Sequence, residues 1–433
     1  MVCKREAYIP STVSLGPYNH FCNTLNEHKQ EAVRRMVTRI NRDGAFLVKE
    51  IHGLERDIRE CYDEKINCDV ETLCCLMVYD ACFILEFFRC SGRTRVQNPQ
   101  GCFSLVFQNK DYKNSMYNDI LSDIMKLENQ VPLNVLIAIL RLEFDPAIPE
   151  LAKLLSNSEL FKGFPFYSSL PDDGDVKLKL EELMEKNPYH LLDLYRMVIN
   201  DILKPSSLES DTPSRSGWMQ LPCSPNERCF IPDAESLDEK RSTPCAQKLQ
   251  NAGIEFEPGK IRFKRSKLGI SMVSLPQITV NYMTEIYLRN LMAYEECQRC
   301  SWNPKPTVIS NYIRLLDIFI NSEKDVSVLR DARVIKSFVG CDEDIVKMFN
   351  HLTIGITVGP LDCDTAVTIN RLGSIREYED VLRQVREHYN SKWNVWIGQF
   401  REEHCSNPLY ALSFLAATGL LVMTIIQTVY AMK

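Results

Sequence analysis

Val70-Glu71-Thr72-Leu73-Cys74-Cys75-Leu76-Met77-Val78-Tyr79-Asp80-Ala81-Cys82-Phe83-Ile84-Leu85-Glu86-Phe87-Phe88 is the stretch whose reading decides the fold. Its length and apolarity suggest a membrane span, yet Asp80 and Glu86 interrupt it, and a central carboxylate is costly in lipid. A helix that is apolar on nearly every side and carries two acids reads instead as a helix buried in a protein core. Cys74, Cys75 and Cys82 then pack as small hydrophobes.

Helical spacing continues on both sides of this run. Leu25, Ala32, Val33, Met36, Val37 and Ile40 recur with Lys and Arg between them, which predicts a helix with one buried face over 25–40. Tyr117 to Arg141 reads as a helix, a break at Gln130-Val131-Pro132, and a second helix, because proline disfavours helix at the residue before it. Further helices are expected at Glu285–Cys297, Ile309–Ile320 and Asp344–Leu352. A long one carries Tyr378, Val381, Leu382, Val385, Tyr389, Trp393, Trp396, Ile397 and Phe400 at steps of three and four. Between these lie four short β-prone runs, Ile254–Phe256, Ile261–Phe263, Ile270–Val273 and Gln277–Val280, which predict a small antiparallel meander. Residues 204–246 hold 6 of the 21 prolines and 8 serines and read as a linker or loop. Thr212-Pro213, Ser224-Pro225 and Thr243-Pro244 within it are dipeptides of the kind proline-directed kinases modify, although a plain Pro/Ser-rich linker produces them incidentally.

The expected architecture is therefore mainly α, with a small antiparallel β insertion in the second half and a single C-terminal transmembrane helix. Its parts are an N-terminal helical half over 1–203, a linker over 204–246, a C-terminal helical half with the meander over 247–405, and the membrane helix over 409–431. That last expectation rests on Leu409 to Met432, which contains no charged residue and has Tyr410 and Tyr430 near its edges. The N-terminus lacks the apolar core of a secretory signal, and no Asn-x-Ser/Thr sequon occurs. These features predict a single-pass C-terminal anchor with the body facing the cytosol and residues 409–431 in the bilayer.

Composition narrows the function classes. The chain has 433 residues, 45% of them hydrophobic and 25% charged, with a formal charge of −6, which excludes collagen-like, globally disordered and polytopic membrane classes. An acidic balance with no clustered basic face argues against nucleic acid as a partner. The 17 cysteines sit in a long chain without a secretory signal and read as reduced thiols rather than a disulfide scaffold.

The usual catalytic signatures are missing: there is no Gly-x-Gly-x-x-Gly, phosphate loop, Gly-x-Ser-x-Gly elbow or His-Glu-x-x-His. Cys297-Gln298-Arg299-Cys300 is the one Cys-x-x-Cys. No second pair stands at a zinc spacing, and it closes a helix where a redox pair would open one, so chance spacing is the favoured reading. Asp80, Glu86 and Glu128 are the best acid candidates, since a buried carboxylate with a raised pKa can act as a general acid. Acids of this kind more often bond backbone or an arginine inside a helical core. Trp393 and Trp396 read as core or interfacial packing. No catalytic, cofactor-binding or metal-binding residue is assigned, and no small-molecule ligand is predicted.

A resemblance adds to this reading. Tyr8-Ile9-Pro10-Ser11-Thr12-Val13-Ser14-Leu15-Gly16-Pro17-Tyr18-Asn19-His20 resembles the opening box of the plant family called domain of unknown function 247. Asp80–Phe88, Leu127–Pro132, His190–Leu194, Ala252–Phe256, Thr284-Glu285 with Arg289–Glu295, Trp393–Trp396 and Gln427–Tyr430 are similar to its later boxes, in order. The resemblance implies a plant membrane-associated protein without an established activity. Some grass members are linked to gametophytic self-incompatibility as proposed pollen-side determinants. The family defines no catalytic residues, so none is carried over. The expected role is recognition or signalling through an unknown protein partner. The alternatives are an enzyme using buried carboxylates and a passive membrane tether.

Overall fold

The structure, a computed structural model, describes residues 5–19, 25–62, 66–91, 110–158, 160, 163–170, 173–204, 243–266, 271–299, 307–353, 367–391 and 408–431. The Val70–Phe88 run becomes α4 (Val70–Ser91), after α1 (Asn26–Ile40), α2 (Gly44–His52) and α3 (Glu55–Glu60). Asp69 starts α4 by accepting the Thr72 N–H at 2.9 Å and the Thr72 hydroxyl at 2.7 Å, which satisfies a donor that the first turn leaves without a partner. From Asp80 to Phe88 every side chain is buried. Helices α1 and α2 pack against it, together with α6 (Leu133–Arg141) and α7 (Ala147–Asn157). Phe83, Phe87 and Phe88 are fully buried, each contributing on the order of 2 kcal/mol of apolar transfer free energy.

The expected break inside 117–141 is present. Helix α5 (Lys110–Ile124) is followed by a 3₁₀ turn, Leu127–Asn129, and then by α6. Helices α8 (Asp173–Met184) and α9 (Leu191–Leu203) complete the helices among the described residues before 204. After α10 (Ala246–Asn251) come α11 (Thr284–Arg299), α12 (Val308–Phe319), α13 (Glu323–Asp331), α14 (Asp342–Leu352) and α15 (Val367–Asn390). The buried apolar residues on either side of 204–246 share one core that runs from Val13 to Val385. Phe166 meets Tyr312 edge-on at 5.7 Å, and the Tyr378 hydroxyl donates to the Leu203 carbonyl at 3.0 Å.

The β insertion differs from the expected antiparallel meander. Strands β1 (Ile254–Pro258), β2 (Arg262–Lys264) and β3 (Ser271–Leu275) form a mixed sheet in the order β1-β3-β2, with β1 parallel and β2 antiparallel to β3. Four of the five β3 residues are buried, so β3 takes the central place, and the edge strand β1 ends on a proline, as edge strands tolerate. The fourth run, β4 (Ile278–Val280), leaves this sheet and pairs in parallel with β5 (Ile335–Ser337).

The C-terminal transmembrane assignment is also corrected. Pro408–Ala431 is helical (α16), but among the described residues no helix is long and apolar enough to cross a membrane. The expected single-pass anchor over 409–431 and the membrane localisation inferred from it are therefore not supported.

Candidate functional site

Residues 7–18 form an irregular strap with few backbone partners of its own, and buried side chains supply what a helix or sheet would otherwise provide. Asp123, near the end of α5, accepts the N–H groups of Ser11 (3.0 Å), Thr12 (2.6 Å) and Val13 (2.9 Å). The Asn129 amide accepts the Leu15 N–H at 2.6 Å and donates to the Val13 carbonyl at 3.0 Å. Lys126 donates to the Ile9 carbonyl at 2.6 Å and pairs with Asp123 at 2.9 Å. From α11, Asn290 donates to the Ala7 carbonyl at 2.9 Å and accepts the Leu127 N–H at 2.9 Å. The strap is thus fastened to helices from both sides of the 204–246 stretch.

Asp80 belongs to this fastening. One of its oxygens accepts the Gly16 N–H at 2.8 Å, and the other pairs with Lys29 at 2.5 Å. Lys29 also donates to the Ser14 carbonyl at 2.6 Å. Burial pushes the Asp80 carboxyl above the usual carboxylate range, while Lys29 and the Gly16 N–H oppose that shift. Gly16 is required here: its φ is +68°, and a Cβ would lie 2.6 Å from the Gln130 carbonyl oxygen.

The other two candidate acids go elsewhere. Glu86 is buried and bonds Arg39 and Arg89, and both arginines also bind Glu143, so four charges tie α1 and α4 to the segment after α6. Glu128 is exposed, and its backbone carbonyl accepts from the Asn19 amide at 3.0 Å. The Asp80 and Glu86 carboxylates bind different partners, and none of the three acids lines the cleft described below.

Other groups on the apolar faces were not anticipated from the sequence. Glu295, near the end of α11, caps the start of α12 by accepting the Ile309 and Ser310 N–H groups at 2.9 Å each and the Ser310 hydroxyl at 2.7 Å. Burial lifts its carboxyl to about 7 against the opposing pull of these donors. Lys29, Asp123, Asn129, Asn290 and Glu295 were all missed. A signal existed for Lys29, which occupies the buried stripe Leu25, Lys29, Ala32, Met36 at steps of four, three and four.

Cys297 is exposed, whereas Cys300, Trp393, Trp396, Thr212 and Ser224 lie outside the described residues. Thr243, the remaining residue of the three dipeptides, is buried. Cys74 and Cys82 are buried, and burial raises the Cys82 thiol to about 12, far from a reactive thiolate. Among the described residues no three His, Cys, Asp or Glu side chains stand together as a metal set.

A cleft of about 710 Å³ opens between the 3₁₀ turn Tyr167–Ser169, the middle of α8, the last turns of α9, the turn after β1, the β3–β4 link and the turn after α13. Leu170, Val198, Ile202, Pro258 and Pro276 make its apolar floor, and Lys179, Lys260, Arg333 and Asp201 carry its charge. Lys179 is neutralised by Asp201 at 2.6 Å and Glu182 at 3.1 Å.

A family model described as DUF247, plant protein of unknown function, matches residues 1–423. A putative UPF0481 protein of Arabidopsis thaliana is 26% identical over 497 aligned positions, covering 98% of this chain and 86% of the relative. A second UPF0481 protein of the same plant is 26% identical over 446 positions, covering 98% and 83%. No solved structure matches the chain.

Proposed function

The chain belongs to the DUF247 family of plant proteins of unknown function, and from that premise we propose that it acts in recognition, through binding of a protein partner by a rigid helical body. The observation that carries this reading is the employment of the buried acids. Asp80, Glu86, Asp123 and Glu295 each hold a backbone N–H or a cation of the fold. A general acid must reach a substrate proton, and these carboxylates reach other parts of the chain. The rival reading, an enzyme built on Asp80, Glu86 and Glu128, needs acids gathered in an open pocket and lacks that support. The passive membrane tether loses its basis with the anchor.

Proximity labelling from the full chain in its native tissue tests the proposal. A reproducible set of neighbouring proteins is expected, and recovery of none overturns it. A narrower reading, pollen-side recognition in gametophytic self-incompatibility, is supported by family membership alone. It calls for pollen-limited expression with high allelic diversity, and broad expression of one invariant allele removes it.

A further inference from the structure

We propose that the cleft beside the β1–β2 turn binds a small organic anion, a carboxylate or phosphate ester on an apolar body. Its acidic group would be held by Lys260 and Arg333 and its body would lie over Leu170, Val198, Ile202, Pro258 and Pro276. This goes beyond the recognition role and does not depend on it.

Four features support the assignment. A volume near 710 Å³ falls within the ~300–1,000 Å³ range of small-molecule sites, and the mostly apolar floor with a few polar groups is the usual composition of such sites. The charge of the cleft is unbalanced in one direction. Lys179 and Asp201 neutralise each other at 2.6 Å, while among the described residues the side chains of Lys260 and Arg333 make no hydrogen bond or ion pair. Lys260 and Arg333 therefore leave a net positive charge at this cleft.

The backbone carrying both cations is also fixed before any ligand arrives. Arg333 sits in the left-handed region at φ 61°, its carbonyl accepting from the Gln277 amide at 2.6 Å and its N–H donating to Arg330 at 2.8 Å. The Gly259 N–H donates to the Leu275 carbonyl at 2.8 Å and holds the turn that presents Lys260. Less ordering is then needed on binding. Finally, among the described residues the Ser168 hydroxyl has only a long contact, 3.4 Å to the Thr279 hydroxyl, and is available as a further donor to an oxyanion. Two cations are too few for a nucleic-acid backbone, and the apolar floor gives a bare inorganic ion nothing to rest on.

Calorimetric titration of the full chain decides the matter with four probes. 1-Naphthyl phosphate and 1-naphthoate carry an apolar body and an anion, 1-naphthol carries the body alone, and inorganic phosphate carries the charge alone. One of the two anionic naphthyl probes is expected to bind one per chain, at least tenfold tighter than 1-naphthol and inorganic phosphate. The preference between phosphate and carboxylate identifies the headgroup. In the Lys260→Gln/Arg333→Gln double variant, whose fold is checked by circular dichroism, that affinity falls at least tenfold and its dependence on salt flattens. Equal binding of charged and neutral naphthyl probes, unchanged affinity in the double variant, or no binding of either anionic probe at millimolar concentration overturns the proposal.

Discussion

Around residues 7–16, the buried side chains of Lys29, Asp80, Asp123 and Lys126 hold backbone groups of the strap, and they also pair with one another. Around the cleft, Lys260 and Arg333 are exposed and hold nothing among the described residues. The first arrangement is stable only while every member is present, because removing one partner leaves another group buried and unsatisfied. The second loses little when a member is removed, because water already solvates each cation. Charge in the strap is structural, and charge in the cleft is free for a ligand.

The largest effect is expected from Asp123→Ala. It strands three N–H groups and leaves Lys126 without its acid inside the protein, a loss of about 3–5 kcal/mol by analogy with broken buried pairs. Urea unfolding measures it, and a loss below about 1 kcal/mol would show that the strap is not held by this carboxylate. Lys29→Met is expected to cost about 3 kcal/mol for the same reason, since it leaves Asp80 buried with only the Gly16 N–H. The double variant Lys29→Met/Asp80→Leu should recover part of that loss, because two apolar groups leave no unpaired charge. If the double change is as damaging as the sum of the two single changes, the pair is not acting as a unit.

Gly16→Ala comes next, at roughly 2 kcal/mol. It combines a left-handed backbone with a Cβ driven against a backbone carbonyl that cannot swing aside as a side chain would. Thermal unfolding would expose the error if the variant melted with the wild type.

Much of this arrangement was hidden from a linear reading. The central helix α4 was legible because Asp80 and Glu86 forbid lipid at positions where burial in protein is allowed. The strap was visible only as a box of residues, because Ser11 and Asp123 are 112 residues apart and Ala7 and Asn290 are 283 apart. Local periodicity cannot encode pairings at that range. Strand order failed for the same reason: the β-prone runs were found, but which one becomes central depends on what covers each face. The uncharged C-terminal run showed apolarity without showing what surrounds the helix.

Glu295 tests the comparison through pH. With its carboxyl lifted to about 7, the folded chain keeps a proton that the unfolded chain has lost at ordinary carboxylate values. The contribution of this group to stability is therefore fully present below about pH 4.5, falls as pH rises towards 7, and is lost above it, with a slope of up to about 1.4 kcal/mol per pH unit. Glu295→Gln cannot titrate, so its stability should decline less than that of the wild type between pH 5 and 7, whatever constant loss the weaker cap of α12 adds. Parallel stability–pH curves for the two proteins would place the proton elsewhere.

The smallest effect belongs to the cleft and completes the contrast. Lys260→Gln/Arg333→Gln removes two charges that pair with nothing among the described residues, so unfolding stability should stay within about 0.5 kcal/mol of the wild type. Relief of cation–cation repulsion pushes towards a slight gain, and loss of attraction to the acid-rich surface pushes towards a slight loss. A drop of 2 kcal/mol or more would mean that the two cations hold the fold as the strap charges do. The distinction between structural and available charge would then fail, and with it the reason for treating the cleft as a site.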